Sequence, residues 1–248
     1  RAIVFLHGYT NCPQQFGELG QHFYDLGYNV LLVPAPHHGL ADRMTTDQSR
    51  LTAEELEAYA DEVVDIAQGL GEHVTLAGIS MGGATTAWAA LHRSDLDLAV
   101  LISPAFGFQM FPAPVTAPAV NACLVLPNFY MWADSELKEE NGPDHTYPRR
   151  STRALAQTLR LGLVVQTQSA EAAPVARSML VVTNANDPSV DNELTAEMVA
   201  AWRQGGVDVK TYEFPASLEL KHDLISPWQG TQPVVYPVLV ELITNAAE

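Results

Sequence analysis

One serine in this sequence sits where it can become a nucleophile. Gly78-Ile79-Ser80-Met81-Gly82-Gly83 falls where an apolar strand pattern ends and a helical pattern begins, the context in which a G-x-S-x-G segment makes a sharp turn and lifts the hydroxyl above a sheet. Glycines flank the serine because a Cβ at 78 or 82 collides with neighbouring backbone in so tight a turn. The turn also puts Ser80 at a helix N-terminus, where unpaired amides and the positive end of the dipole favour developing negative charge. The competing explanation, a chance match in a glycine-containing turn, is weakened by the strand before it and the helix after it.

A serine hydroxyl is a poor nucleophile at neutral pH, so it needs a base, and the base needs an orienting acid. His222, in Leu220-Lys221-His222-Asp223-Leu224 between the last strand and the last helix, is the expected base, with His145 in reserve. Asp187, in Asn184-Ala185-Asn186-Asp187-Pro188 directly after a strand, is the expected acid. Asp191 is expected to cap the following helix and Asp223 to point elsewhere. The order Ser80, Asp187, His222 is one of the known convergent orders of such a triad. Acyl transfer also requires two donors aimed at the oxyanion. The expected pair is the backbone N–H of Met81 and that of Tyr9, in His7-Gly8-Tyr9-Thr10, where Gly8 permits the turn. His7 itself is expected to tie loops together by hydrogen bonds.

Taken together, His7-Gly8-Tyr9, Gly78-Ile79-Ser80-Met81-Gly82, Asp187 and His222 resemble the α/β-hydrolase superfamily, over essentially the whole chain. The compact size, the HGYT opening and the single insertion after Ser103 resemble its small bacterial carboxylesterases and monoacylglycerol-lipase-like serine esterases. The resemblance implies a serine carboxylic-ester hydrolase needing neither metal nor organic cofactor. Ser80 would attack the ester of a small, uncharged or weakly polar molecule, His222 would take and return the proton, Asp187 would orient His222, and water would release the acyl group. Thioesterases, acyltransferases, amidases and perhydrolases use the same triad; a haloalkane dehalogenase carries a carboxylate where Ser80 stands. Outside the enzymes, the rival is a catalytically silent hydrolase fold used for binding, against which the intact set of Ser, His, Asp and loop Gly argues. The chain starts at what resembles the family's third strand.

To position these residues the chain must fold as an α/β domain with a doubly wound, mostly parallel sheet. Strands are predicted at 2–6, 29–33, 74–77, 98–102, 179–183 and 207–214, and helices at 14–26, 52–70, 81–92, 154–163, 193–204 and 234–246. Thr52 and Glu55 form an expected capping box. Residues 1–248 read as one domain, with 104–176 a small cap inserted in it. The cap carries Phe106, Phe108, Met110, Phe111, Phe129 and Trp132. Of these Phe106, Phe108, Met110, Phe129 and Trp132 are expected to contact substrate, the alternative being that they pack the cap onto the sheet.

Composition excludes more than it identifies. Lys and Arg number 13 against 29 Asp and Glu, a net charge of −16, and such a field repels nucleic acid and anionic lipid. Cys12 and Cys123 are too few and too far apart for a disulfide framework or a zinc site and read as separate buried thiols. The uncharged run 98–133 is long enough for a bilayer but is broken by Pro104, Pro112, Pro114, Pro118 and Pro127. In Pro36-His37-His38-Gly39, adjacent histidines on an extended loop point apart, so loop packing or a substrate rim is expected rather than a metal. The start at Arg1 leaves an upstream signal segment open, with the cytoplasm favoured.

Overall fold

Short apolar runs pair here because strands buried on both faces leave their backbone groups only one another to bond. The computed structural model describes residues 1–110, 113–133, 143 and 145–247. The strands are β1 (Ala2–Leu6), β2 (Asn29–Val33), β3 (Val74–Ile79), β4 (Leu98–Ile102), β5 (Tyr130–Trp132), β6 (Arg149–Ser151), β7 (Ser178–Asn184) and β8 (Val209–Phe214). Six of them form one all-parallel sheet in the order β2-β1-β3-β4-β7-β8. The helices are α1 (Gly17–Asp25), α2 (Ala53–Gln68), α3 (Met81–His92), α4 (Ala113–Val125), α5 (Thr152–Glu171), α6 (Asn192–Gln204) and α7 (Gln232–Ala246).

Alternation along the strands divides the core into two layers. Val4, Leu6, Leu76, Leu101 and Val181 face α2, α3, α5 and α6, whose Leu56, Val63, Ala84, Leu161, Val165 and Trp202 cover them. Ile3, Phe5, Ile79, Val100 and Val182 face α1 and α7, under Leu19, Phe23, Val235, Leu239 and Ile243. Both faces of β1, β3 and β4 are thus buried, while β2 and β8 at the two edges are partly exposed. The order also places the site. From β1 the chain passes to β2 on one side, while β3 pairs on the other, and the diverging connections open a crevice at the carboxyl ends of β1 and β3. The His7–Thr10 loop and Ser80 both lie at those ends.

Several boundaries differ from the expectation for physical reasons. The first helix begins as a tight turn at Pro13–Phe16, since proline suits a first turn. β3 continues to Ile79, because Gly78 and Ile79 still pair with Leu101 and Ile102. α5 is twice its expected length. Its Ala154, Leu161 and Val165 join the first core layer, and its polar Gln166 bonds inward to Phe106 O, so the helix belongs to the sheet's cover although polar residues break its apolar period. Part of the proline-broken run forms α4, which lies on α5 through Val120, Ala156 and Leu159. Pro118 lies inside α4 on its exposed side. The antiparallel pair β5–β6 was not foreseen, being three residues a strand. Cys12 is buried and Cys123 is half-buried rather than buried. No helix among the described residues is long and apolar enough to cross a membrane. Phe111 and residues 134–142 of the expected cap lie outside the described residues.

The capping box at the start of α2 is formed: the Thr52 hydroxyl accepts from the Glu55 N–H, and the Glu55 carboxylate accepts from the Thr52 N–H at 2.9 Å. Thr52→Ala is expected to cost ~1 kcal/mol, read as a lower denaturant midpoint with unchanged slope.

Candidate active site

The turn at Ser80 is as tight as its glycines require. A Cβ on Gly78 would lie 2.2 Å from the Gly82 carbonyl oxygen, and one on Gly82 would lie 2.1 Å from that of Leu6. No side chain fits either place. Ser80 takes φ 56° and ψ −113°, a conformation that costs a residue with a side chain ~1–3 kcal/mol. Backbone bonds offset this: the Ser80 N–H donates to Ile102 O, and Ser80 O accepts from the Ala84 and Ala105 N–H groups, each at 3.0 Å. Ser80 thereby ends β3 and begins α3.

The end of β1 runs alongside. A Cβ on Gly8 would sit 3.6 Å from the Ser80 Cβ, so the His7–Thr10 loop passes against the serine. Its peptide orientation is fixed. Gly8 O accepts from His7 Nδ1–H at 2.8 Å and from the Asn11 N–H at 3.1 Å. In a trans peptide the next N–H points the opposite way, so those bonds aim the Tyr9 N–H away from them. Among the described residues no group accepts from the Tyr9 or Met81 N–H. His7 Nε2 in turn accepts from the Ala35 N–H at 3.0 Å, the loop-tying role expected of it. Burial and the neighbouring His38 push the His7 imidazole down to about 3, so it stays neutral.

The Tyr9 side chain reaches β6, where its oxygen accepts from the Ser151 N–H at 2.8 Å while its hydroxyl donates to Gln48. Burial holds this phenol well above its ordinary value. His38 donates from Nδ1 to Pro36 O at 2.8 Å, and burial lowers it to about 4. Both nitrogens of His37 face carboxylates instead, Asp47 at 2.7 Å and Glu55 at 3.2 Å. The pair therefore does point apart, and His37 ties its loop to α2.

The structure brings Asp187 and His222 together. His222 Nδ1 lies 3.0 and 2.8 Å from the two carboxylate oxygens, and because a carboxylate only accepts, Nδ1 carries the hydrogen and Nε2 keeps its lone pair. Asp187 is fully buried at its side chain, and His222 is 19% exposed, enough to meet a solvent-borne molecule. Burial works against the Asp187 charge, but the His222 bond and charge, with the Ser189 and Val190 amides, outweigh it and hold the carboxyl below its usual range. Burial also disfavours a charged His222. Against that, the Asp187 hydrogen bond and charge, and the Asp223 charge, raise it above 6.5, with Arg150 on β6 opposing them. His145 packs edge-on to Trp228 at 4.9 Å, and Asp191 caps α6 by accepting from the Leu194 N–H.

One residue central to this geometry was not singled out in the sequence. Asn184, at the end of β7 and fully buried, donates from Nδ2 to Leu220 O at 2.9 Å and Lys221 O at 3.2 Å. It pins the loop that presents His222 to the strand that presents Asp187. An asparagine three residues before the acid was the only available signal.

The expected substrate contacts scatter. Phe106 is a correction: it is wholly buried in the first core layer, edge-on to Trp202. α5 seals it there, approaching so closely that a Cβ on Gly162 would lie 2.7 Å from Ala105 O. Phe108 pairs with Val190 beside the Asp187 loop. Met110 is 75% exposed and Phe129 59%, while Trp132 lies 6.0 Å beneath the Arg149 guanidinium.

With this geometry in hand, likenesses to known proteins can be placed. The model of the alpha/beta hydrolase family matches residues 3–223. A thermostable monoacylglycerol lipase of Bacillus sp. (strain H-257) is 26% identical over 165 residues, 64% of this chain and 60% of that protein. The monoacylglycerol lipase structure of Paleococcus ferrophilus is similar in fold at 18% identity, covering 99% of this chain and 94% of that one with a TM-score of 0.70. A soluble variant of Saccharomyces cerevisiae monoglyceride lipase, solved with a substrate analogue, gives 15% identity, 99% and 86% coverage and a TM-score of 0.72.

Two outcomes are expected. Gly82→Ala should destabilise by more than ~3 kcal/mol, as a forced overlap of backbone does, whereas Gly206→Ala, at φ +87° with open space around it, should cost only ~1–2 kcal/mol; denaturant unfolding measures both. In an NMR titration the His222 imidazole should turn over above pH 6.5, and in Asp187→Asn, where burial is left as the larger influence, below it.

Proposed function

This chain belongs to the alpha/beta hydrolase family, and on that premise we propose that it hydrolyses carboxylic esters through a covalent acyl-enzyme formed on Ser80. The observation that carries the proposal is the bond from His222 Nδ1 to Asp187, which follows β7 at the same carboxyl ends of the strands at which Ser80 follows β3. The bond fixes the one tautomer whose Nε2 can accept a serine proton. In this reading Ser80 Oγ attacks the ester carbonyl as His222 Nε2 takes its proton. The tetrahedral oxyanion is held by the Met81 N–H at the start of α3 and the Tyr9 N–H, both without an acceptor among the described residues. His222 then returns the proton to the departing alcohol, and water, activated by the same imidazole, releases the acid. Asp187 stays ionised throughout and stabilises the transient imidazolium.

The same reading keeps segment 104–176 as a cap, less Phe106 and the part of α5 that covers the sheet. Met110 and Phe129, open to solvent, and Phe108 and Trp132 beside them in sequence offer apolar surface to an acyl chain. The lipase likeness of the Bacillus relative supports a carboxylic ester of a small alcohol over a thioester or amide.

Purified protein should release nitrophenol from short-chain esters and be labelled by a fluorophosphonate, and Ser80→Ala should abolish both; labelling that persists in that variant places the nucleophile elsewhere. The base works only when neutral, and its folded pKa is raised. Accordingly kcat/KM should climb with pH through a midpoint above 6.5 and level off on the alkaline side. An acyl series from acetate to palmitate reads the chain length.

A further inference from the structure

Gln15 takes part in none of the steps above, yet it joins the two loops those steps require. It lies in the tight turn at Pro13–Phe16, is fully buried, and uses both ends of its amide. Oε1 accepts from the Gly8 N–H at 2.8 Å. Nε2 donates to Asp223 Oδ1 at 3.2 Å and to Ser226 Oγ at 3.1 Å. The first contact is with the loop that passes Ser80; the other two are with the residues that follow His222, more than 200 positions away. Asn11 Nδ2 reaches the other Asp223 oxygen at 3.5 Å, so the Asp223 carboxylate is held from this side only by amides of the 8–15 segment.

We infer that Gln15 is a positioning residue that fixes the Gly8–Tyr9 loop and the His222 loop relative to each other, so that oxyanion donor and base meet one substrate in register. The physical case rests on burial and geometry. A buried amide with both ends satisfied is held by all its partners at once, and removing it leaves the Gly8 N–H and the Asp223 carboxylate each short of a bond inside the protein. Packing alone does not demand glutamine here, since methionine has its length and volume. What methionine lacks is the ability to accept from one loop while donating to the other. A transition state that needs two groups from different loops loses as much as ~100-fold in rate when either drifts by about 1 Å. Ground-state binding depends less on that register, so the loss falls on turnover.

This inference rests on the ester-hydrolase reading, and the experiment separates the two. Gln15→Met and Gln15→Glu are compared with wild type on a nitrophenyl ester at pH 8, with amide hydrogen exchange of residues 7–10 and 220–226 followed by mass spectrometry. Gln15→Met should lower kcat ~10–100-fold with KM changed less than about threefold, and exchange should quicken in both segments. Gln15→Glu keeps an acceptor for Gly8 but sets an oxygen against Asp223. It should therefore lower kcat while quickening exchange at 220–226 and sparing 7–10. Should Gln15→Met fail to fold, Gln15→Glu carries the same test. A kcat within twofold of wild type in the folded variants, or exchange that rises in neither loop, overturns the inference. Wild-type protein that turns over no ester removes the proposed function instead, and the exchange data still decide whether Gln15 links the loops.

Discussion

The end of β1 and the first turn of α3 touch backbone to backbone, with the Leu6 carbonyl oxygen 2.1 Å from the place a Cβ at position 82 would take. Most of the site follows from that approach. It forces glycine at 82, bends the chain so sharply at Ser80 that φ becomes positive, and lays the His7–Thr10 loop against the serine. A turn of this kind cannot be held locally. Its strain is met by bonds to Ile102, Ala84 and Ala105, two of which come from β4 and the residues after it. The conformation of Ser80 thus depends on β4 and the residues after it being in place beside β3.

Charge in the site is arranged against the character of the surface. The chain carries −16 overall, yet His7 and His38 are buried among backbone carbonyls, amides and rings, and both stay neutral. His222 differs because its Nδ1 faces a carboxylate rather than a carbonyl. Burial penalises the imidazolium at all three positions; only at 222 does a nearby anion outweigh the penalty. Three imidazoles of one chemical type thus serve two purposes. The neutral two hold loops, with each nitrogen in use or enclosed, and the third is bonded at Nδ1 to a carboxylate that favours its charged form.

What the sequence revealed and what it hid follow from how far each interaction reaches. β1, α3 and β4 were legible to the residue, because an apolar run or a period of three and four is written in neighbouring positions. The tight turn at Ser80 was legible from its glycines, and the closeness of Asp187 and His222 from their places after strands. β5 and β6 were not, since three residues carry no period. The sequence shows only half of α5 because polar Gln166, Thr167 and Gln168 interrupt the apolar pattern of its later turns, although Leu161 and Val165 keep the buried face and Gln166 bonds inward to Phe106 O. Phe106 was read as a pocket residue because an aromatic in a loop is as apolar as one in a core; only the close passage of α5 over Ala105 distinguishes them. Asn184 reaches a partner 36 positions away, and Gln15 reaches one 211 positions away besides Gly8 nearby, and no local pattern records such distant partners.

The loop after β1 is held from three directions. His7 anchors the loop to the segment after β2, Gln15 anchors it to the His222 loop, and Tyr9 and Thr10 anchor it to β6 and the residues just before it. The last link is made by the Ser151 N–H, which donates to the Tyr9 oxygen, and by the Tyr147 N–H, which donates to Thr10 O, each at 2.8 Å, while the Tyr9 hydroxyl donates to Gln48 in the turn after β2. The Tyr9 peptide is set by the bonds to Gly8 O and the Tyr9 ring by β6, joined by a side chain with only two rotatable bonds. One residue thus ties the end of the central strand β1 to the small antiparallel pair β5–β6 through its backbone and its ring together, which is why a tyrosine rather than a shorter residue suits this place.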